Sequence, residues 1–599
     1  MFATKLPRCA NSAQHRMHGF ARMAERATQI FAILIGAVFL LSGVVYLYLG
    51  RVTSLAAGNL WSVYAFAGKH TWPQTALLKQ AGHATFFPSF IFLANLRFFH
   101  GDAQMLFFAG LGLLFVTVSL LLIPVWRDKS VTLTAKTLST LVVLLGNFWM
   151  SRASITANGE FNCETSLAMA GAVLAVLLIP KMHCSWTITA IVVCAAFVSS
   201  FSFGTGLAIW PTLLLLGWCL RLPWRTIVLI GISALAAAVV YVLLPVLPSS
   251  YGMQKESEIS LHSPMGVLTE FCRLVASPVL YTVAAWRGAK TLTDLSQSFS
   301  IALIGVAGLT FAGIVIICRI FRRDLGKAGL ESTGLSLLIF SLFALTLITV
   351  GRLTWFNLVP FAPRYLFWSS LFWTSLILLG IERAEHLQWA RWPTILLPFA
   401  IAILAWPAHY QAWFGCKNAQ ILYDEDATAL INGAVEAQRI QMVPPQLKQI
   451  FQERVHLASQ LRARHLDVFA DGLQDWIGLR EADVFGARHK PQALRGQCSI
   501  DALGQCDNGA PAARVSGRAL KHEQSIPWTL VITDSKGVIR GVARSARITP
   551  FVNRTFYQSK FTAKIGFVGY IRDYNPELRY VVRSADNLTL SDELIPVQH

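Results

Sequence analysis

Residues His83–Asp102 read HATFFPSFIFLANLRFFHGD, and the placement of this stretch relative to a membrane decides how the remaining chain folds. Its apolar residues Phe86, Phe87, Phe90, Ile91, Leu93, Ala94 and Phe98 recur at helical spacing. Arg97, His100 and Asp102 interrupt what would otherwise be a spanning segment. A charge at the bilayer centre costs about 2.5–3.5 kcal/mol on insertion scales. The stretch is therefore expected as a helix near 86–101 that does not cross. Lying flat at the outer interface, it places Arg97, His100 and Asp102 where headgroups meet water. The same pattern also fits a plain amphipathic linker between spans.

Working outward, the composition agrees with a membrane setting. Hydrophobic residues make up 54% of the 599 positions and charged ones 14%, against about 25% charged in soluble proteins. The net charge of +19 would suggest nucleic acid in a soluble chain. Here Lys and Arg fall largely in short loops between apolar runs, where they set topology. Membrane lipids are thus the expected partner, and nucleic acid is not.

Eleven spans are predicted, at about 28–50, 104–125, 131–150, 165–180, 186–201, 207–220, 226–246, 298–318, 333–350, 365–381 and 393–409. Segment 265–286 is broken by Glu270, Arg273 and Pro278 and is expected as a second flat interfacial helix. The class is an α-helical polytopic membrane protein. Residues 1–27 form a basic N-terminus inside, and 28–410 the transmembrane domain. Eleven crossings put the remainder outside a bacterial cytoplasmic membrane, as a helical segment 411–497 and a small β-sandwich-like domain 498–599. ARVSGRA, PWTLVITD, VIRGVARSA, AKIGFVGYIR and ELRYVVRS alternate like strands, and DSKG (534–537) is a hairpin turn. In an oxidising compartment, Cys498 and Cys506 are expected to form a local disulfide.

The residues able to do chemistry on the outer side are few. Asp102 and Glu160 are the best-placed acids, followed by Glu164, Glu256, Glu258 and Glu270. Asp102 follows His100 closely enough for a carboxylate and an imidazole to share a face as general base. Its competing role is to cap the next helix. Arg352 and Arg364 bracket RLTWFNLVPFAPR with Tyr365 beside them, and Arg152 is a third outer cation. Guanidinium groups match phosphate oxygens, although Arg, Trp and Tyr also collect at headgroup level as an ordinary belt. No Cys/His cluster has metal-ligand spacing, so no cofactor is expected and a divalent metal finds no support.

The layout resembles the GT-C class of membrane glycosyltransferases, which includes phage-type O-antigen glucosyltransferases and the arabinosyl- and mannosyltransferases with exported β-domains. FPSFIFLANLRFFHGDAQ (87–104), SFSFGTGLAIWP (200–211) and APRYLFW (362–368) are similar to bacterial membrane proteins of this layout. The resemblance implies transfer of a sugar from a polyprenyl-phosphate carrier to an envelope glycan. Asp102, His100 and Glu160 would be the catalytic candidates, and Arg352, Arg364, Arg152 and Tyr365 would meet the carrier. One departure stands out: GT-C enzymes carry a catalytic acid in the first outer loop, and residues 51–86 contain none. A non-catalytic membrane protein with a glycan- or protein-binding β-domain is the alternative. A transporter is disfavoured because charges inside the spans look nearly absent. The sugar, the acceptor and the oligomeric state are not readable from the sequence.

Overall fold

The computed structural model describes residues 8–54, 60–80, 82–183, 185–247, 264–287, 299–322, 329–352, 363–385, 391–435, 456–486, 492–520, 529–545, 566–584 and 588–590. Its helices are α1 Arg8–Leu49, α2 Leu60–Ala67, α3 Trp72–Ala76, α4 Phe86–Phe99, α5 Ala103–Arg127, α6 Leu133–Phe148, α7 Ala153–Thr156 and α8 Gly159–Leu178. They continue as α9 Trp186–Ser200, α10 Ile209–Cys219, α11 Trp224–Leu243, α12 Pro264–Arg287, α13 Phe299–Arg322, α14 Leu330–Arg352, α15 Leu366–Ala384 and α16 Arg391–Asn432. Among the described residues ten helices are long and apolar enough to cross a membrane: α1, α5, α6, α8 and α11–α16. Nine of them coincide with spans read from the sequence. The chain is a polytopic helical protein. At 14 residues α4 is too short to span.

The tenth long helix corrects an expectation. Segment 265–286, read as a flat interfacial helix, forms the 24-residue α12 and packs along its length within the bundle. The Ser277 and Ser369 hydroxyls meet at 2.8 Å, and Trp286 Nε1 donates to the Leu404 carbonyl at 2.9 Å. Glu270 and Arg273, whose charges argued for the interface, pair with each other one turn apart at 2.6 Å. Two expected spans are corrected in the opposite sense. α9 and α10 contain 15 and 11 residues, about 22 and 16 Å of helix, short of the roughly 30 Å hydrocarbon core. They form a hairpin whose FSFGTG tip meets α4, where the Phe87 N–H donates to the Phe201 carbonyl at 3.2 Å.

These changes remove the parity count as a guide to where the tail lies, but the geometry supplies another. Gln29 in α1 donates to Thr134 at the start of α6. The basic turns after α5, α8 and α10 gather at that end, tied by contacts such as the Asp128 carboxylate with the Leu330 N–H and Thr132 Oγ1 with Glu385, and Arg319 near the end of α13 meets Glu382 there at 3.6 Å. The far end of α1, at Gly50, packs on Cys416 of α16, and the tail sits there. The start of the described chain and the tail therefore occupy opposite ends of the bundle.

α16 runs unbroken from its spanning part to Asn432, inside the tail. The rest of 411–497 is less helical than expected. Residues 456–462 are helical, followed by short turns at Asp467–Phe469 and Leu473–Trp476 and a five-residue helix Glu481–Phe485. Residues 436–455 lie outside the described residues.

The five strands read from the sequence are present: β5 Pro511–Leu520, β6 Thr529–Asp534, β7 Ile539–Ser545, β8 Gly566–Arg572 and β9 Tyr580–Ser584. Three others join them, β3 Ala434–Val435, β4 Gln492–Cys506 and β10 Leu588–Leu590, after a small pair β1 Lys79–Gln80 and β2 His83–Ala84. The order β10-β9-β6-β7-β8-β5-β4-β3, with β10 also lying parallel to β4, makes one curled half-barrel and not a two-sheet sandwich. Cys498 and Cys506 both lie on β4, opposite Gly517 and beyond the Gln505–Pro511 pair. Eight residues of strand span about 26 Å, and a disulfide needs Cα atoms about 4.4–6.8 Å apart. The predicted disulfide between them does not form, because the segment that carries both cysteines is an extended strand.

DSKG is the β6–β7 turn. Asp534 accepts from the backbone N–H groups of Lys536 and Val538 at 2.9 and 3.0 Å and from Arg540 Nε at 2.9 Å. Burial pushes the Asp534 carboxyl up, but the bonds from Arg540, Val538 and Lys536 outweigh it and hold the group below the usual carboxylate range. A lowered folded value means stability that is complete above the ordinary aspartate pKa of about 3.9 and lost as pH falls through the folded value. Asp534→Asn is expected to cost about 1–3 kcal/mol at pH 7 and to flatten the acid limb of stability. Denaturant unfolding at pH 7 and pH 3 reads both effects.

Candidate functional site

The tail shares a core with the end of the bundle that lies away from the start of the described chain. Trp61 and Tyr64 of α2 pack with Leu430 of α16, Leu461, Phe469 and Val542. Arg464 donates to the Tyr64 carbonyl at 2.7 Å. Asp467 accepts from Trp61 Nε1 at 2.7 Å and Ser54 Oγ at 3.4 Å, while its own N–H donates to the His100 carbonyl at 2.8 Å. His100 and Asp467 both adopt left-handed backbone, with φ of 53° and 52°, a conformation that costs L-residues about 1–2 kcal/mol. Around this seam Thr53 donates to Asp424, and Arg544 pairs with Asp471 at 2.9 Å. Burial pushes the Tyr64 phenol up and keeps it protonated, and the same cause pulls Arg544 down.

Beneath this roof lie ionisable groups inside the helical body. Arg152, at the broken end of α6, is 2% exposed. Its Nη1 donates to the Gly146 carbonyl, and its guanidinium lies 4.1 Å from the centre of the Phe367 ring. Its Nε and Nη2 find no hydrogen-bond partner among the described residues. Glu160 and Glu164 sit one turn apart on α8 and are 1% and 3% exposed. Burial draws them in together with Asn158, whose side chain caps the helix through the Glu160 N–H at 3.0 Å. His409 of α16 is fully buried; its Nδ1 accepts from the Met150 N–H at 3.1 Å, and its Nε2 meets Ser42 Oγ at 3.0 Å.

The residues singled out from the sequence divide accordingly. Arg152, Arg364 and Tyr365 come together, because the turn Pro363–Tyr365 packs on α7 and on Met150–Arg152. Arg364 is exposed and lies over the Tyr365 ring at 5.2 Å. Arg352 ends α14, and its side chain, with 353–362, lies outside the described residues. Asp102 caps α5, accepting from the Gln104 N–H at 2.8 Å. His100 is exposed and closes α4, so these two residues belong to the α4–α5 corner and not to the Arg364 turn. Glu160 is deeper than a solvated loop residue. The expectation that spans hold almost no charge is corrected: Arg152, Glu160 and Glu164 are all buried in helices of the bundle. Sequence reasoning missed His409 and Asp467. His409 interrupts the apolar run LAWPAHY without a partner in sequence, and Asp467 reaches the first loop only through the tertiary fold. Among the described residues no three His, Cys, Asp or Glu side chains gather as a metal site.

No family model matches the chain, and no curated protein or solved structure matches it either.

Proposed function

We propose that the chain is a membrane glycosyltransferase that moves a sugar from a polyprenyl-phosphate carrier to an envelope glycan on the outer side of a bacterial cytoplasmic membrane. The supporting observation is the concentration of buried ionisable side chains, Arg152, Glu160, Glu164 and His409, at the end of the bundle roofed by the tail. Charged groups inside a membrane protein are expensive, and those retained mark sites of function. In this proposal Arg152 and Arg364 hold the carrier phosphate, since guanidinium N–H groups match its oxygens. Glu160 takes the acceptor proton as general base. Asp102 is left with capping, as its bond to Gln104 implies.

Two variants divide these roles. Asp102→Asn keeps a good capping residue and is expected to leave glycan modification intact in cells. Glu160→Gln is expected to lower it by about 10²-fold or more, the scale of a lost general base. Full activity of Glu160→Gln would remove Glu160 from the chemistry. The basic turns at the opposite end from the tail support the outer location by the positive-inside tendency. A reporter joined after His599 is expected to be active only when it works in the periplasm, and activity of a cytoplasmic reporter alone would reverse the orientation.

A further inference from the structure

We infer that the groove between α2, α3 and the last turn of α11 is a docking site for an anionic two-chain phospholipid: one acyl chain lies in the groove, and the headgroup phosphate meets Lys69 and Lys79 on its rim. The inference uses no step of the proposed transfer, and neither Arg152 nor Glu160 belongs to the groove.

The groove holds about 530 Å³, within the roughly 300–1,000 Å³ of ligand pockets. Its walls are mostly apolar, with Phe66, Leu77 and Leu78 on one side and Val240, Leu243 and Leu244 on the other. His70, also in the lining, lies flat on the Phe66 ring with 3.7 Å between centres, and its Nδ1 donates to the Phe66 carbonyl at 3.0 Å. Backbone bonds tie the two walls together. The Lys79 N–H donates to the Pro245 carbonyl at 2.7 Å, and the Leu247 N–H donates to the Lys79 carbonyl at 3.0 Å. The groove is therefore formed before a ligand arrives.

Its position favours a lipid. α11 is long and apolar enough to cross a membrane, and the groove opens at its tail-side end. Leu243 is 75% exposed and Leu77 42% exposed, apolar surface that acyl chains cover at no cost and water does not. Trp72 is exposed beside Phe90, with ring centres 5.2 Å apart. An open tryptophan of this kind suits the level where headgroups meet the hydrocarbon.

Charge selects among lipids. Lys69 is exposed beside His70 on the turn that ends α2. Lys79 Nζ donates to the Val242 carbonyl at 3.4 Å, one long bond for a group with three donors. Among the described residues no carboxylate pairs with either lysine. Arg464 of the tail brings a third cation to the same turn, donating to the Tyr64 carbonyl at 2.7 Å. Residues 51–86 contain no acid at all, and an acid-free rim is what a phosphate diester requires. A cationic rim beside an apolar groove complements an anionic lipid and gives a zwitterionic one no advantage.

Full-length protein in a neutral detergent is titrated with phosphatidylglycerol and with phosphatidylcholine of the same acyl chains, and binding is followed by native mass spectrometry. Phosphatidylglycerol is expected to fill one saturable site about tenfold or more tightly than phosphatidylcholine, the scale of two surface lysines. The Lys69→Gln, Lys79→Gln double variant should lose that preference. The Lys129→Gln, Lys181→Gln variant, which removes two charges at the opposite end of the bundle, should keep it. Val240→Trp, which fills the groove from an exposed position on α11, should weaken both lipids. Equal binding of the two lipids by the unaltered protein overturns the inference. So does displacement of phosphatidylglycerol by millimolar inorganic phosphate, which would make the site one for a soluble anion, and so does an equal loss of preference in both double variants. The comparison of lipids on the unaltered protein decides the matter even if Val240→Trp fails to fold.

Discussion

Trp61→Ala is expected to loosen the tail from the bundle at a cost of about 3–5 kcal/mol, the range for truncating a large buried aromatic. Trp61 is 1% exposed, packs 6.2 Å from the Phe469 ring centre, and gives its indole N–H to Asp467. Alanine removes the ring and strips the buried Asp467 carboxylate of its best donor at the same time. Stabilities of about 5–15 kcal/mol are typical of whole domains, so the loss should be visible as a new, early unfolding step. Trp61→Phe separates the contributions: it keeps most of the ring and loses only the donor, costing about 1–3 kcal/mol. The half-barrel has its own core around Val515, Leu530, Ile532 and Phe567, so it should remain folded when the seam opens. Limited proteolysis between the bundle and the half-barrel, followed against denaturant, reads the two events separately. Unchanged protease resistance in Trp61→Ala would mean that α2 contributes nothing to holding the tail.

Most of the helical body was legible because a spanning helix writes its length and apolarity directly into sequence. The failures came where a local signal was ambiguous. Glu270 and Arg273 look like interfacial charges until their mutual pairing on one helix face is known. Segments 186–201 and 207–220 are as apolar as a span, yet the glycines between them close a tight hairpin that stops short. β4 was missed because its polar residues, GQCSIDALGQC, lack the alternation that marked its partners.

The candidate site was legible in its residue types more than in its arrangement. Arg152, Arg364 and Tyr365 were singled out from their positions beside spans, and the fold brings them together. Asp102 and His100 were grouped with them only because both sets flank spans on the same side, a criterion that carries no information about lateral position. The first loop lacks an acid in sequence, but the seam places Asp467 against it, from a segment 406 residues beyond Trp61. Pairings of that separation leave no local trace.

Gly206→Ala is expected to be among the most damaging single-methyl changes in the bundle. A Cβ at Gly206 would run into the carbonyl oxygen and carbon of Ser199, which are backbone atoms at the end of α9. No rotamer change relieves a clash with backbone, so either the last turn of α9 or the 3-10 turn Gly204–Ala208 must move. That movement would strain the Ser199 Oγ bond to the Gly206 carbonyl at 3.3 Å and the Trp210 Nε1 bond to Ser200 at 2.8 Å. It would also pull Phe201 from its bond with Phe87, loosening α4 where it begins. Simple overpacking costs about 1–3 kcal/mol, and the added loss of these bonds sets the expectation at about 3 kcal/mol or more. Gly112→Ala in α5 is the control, since nothing lies within 4 Å of its added methyl. Alanine is the better helix former by about 1 kcal/mol, so the control should hold or gain stability. Thermal unfolding of the two full-length variants in one detergent makes the comparison. Equal melting temperatures would show that the tip of the hairpin is open where Ser199 and Gly206 are placed in contact, and that α4 is anchored by other means.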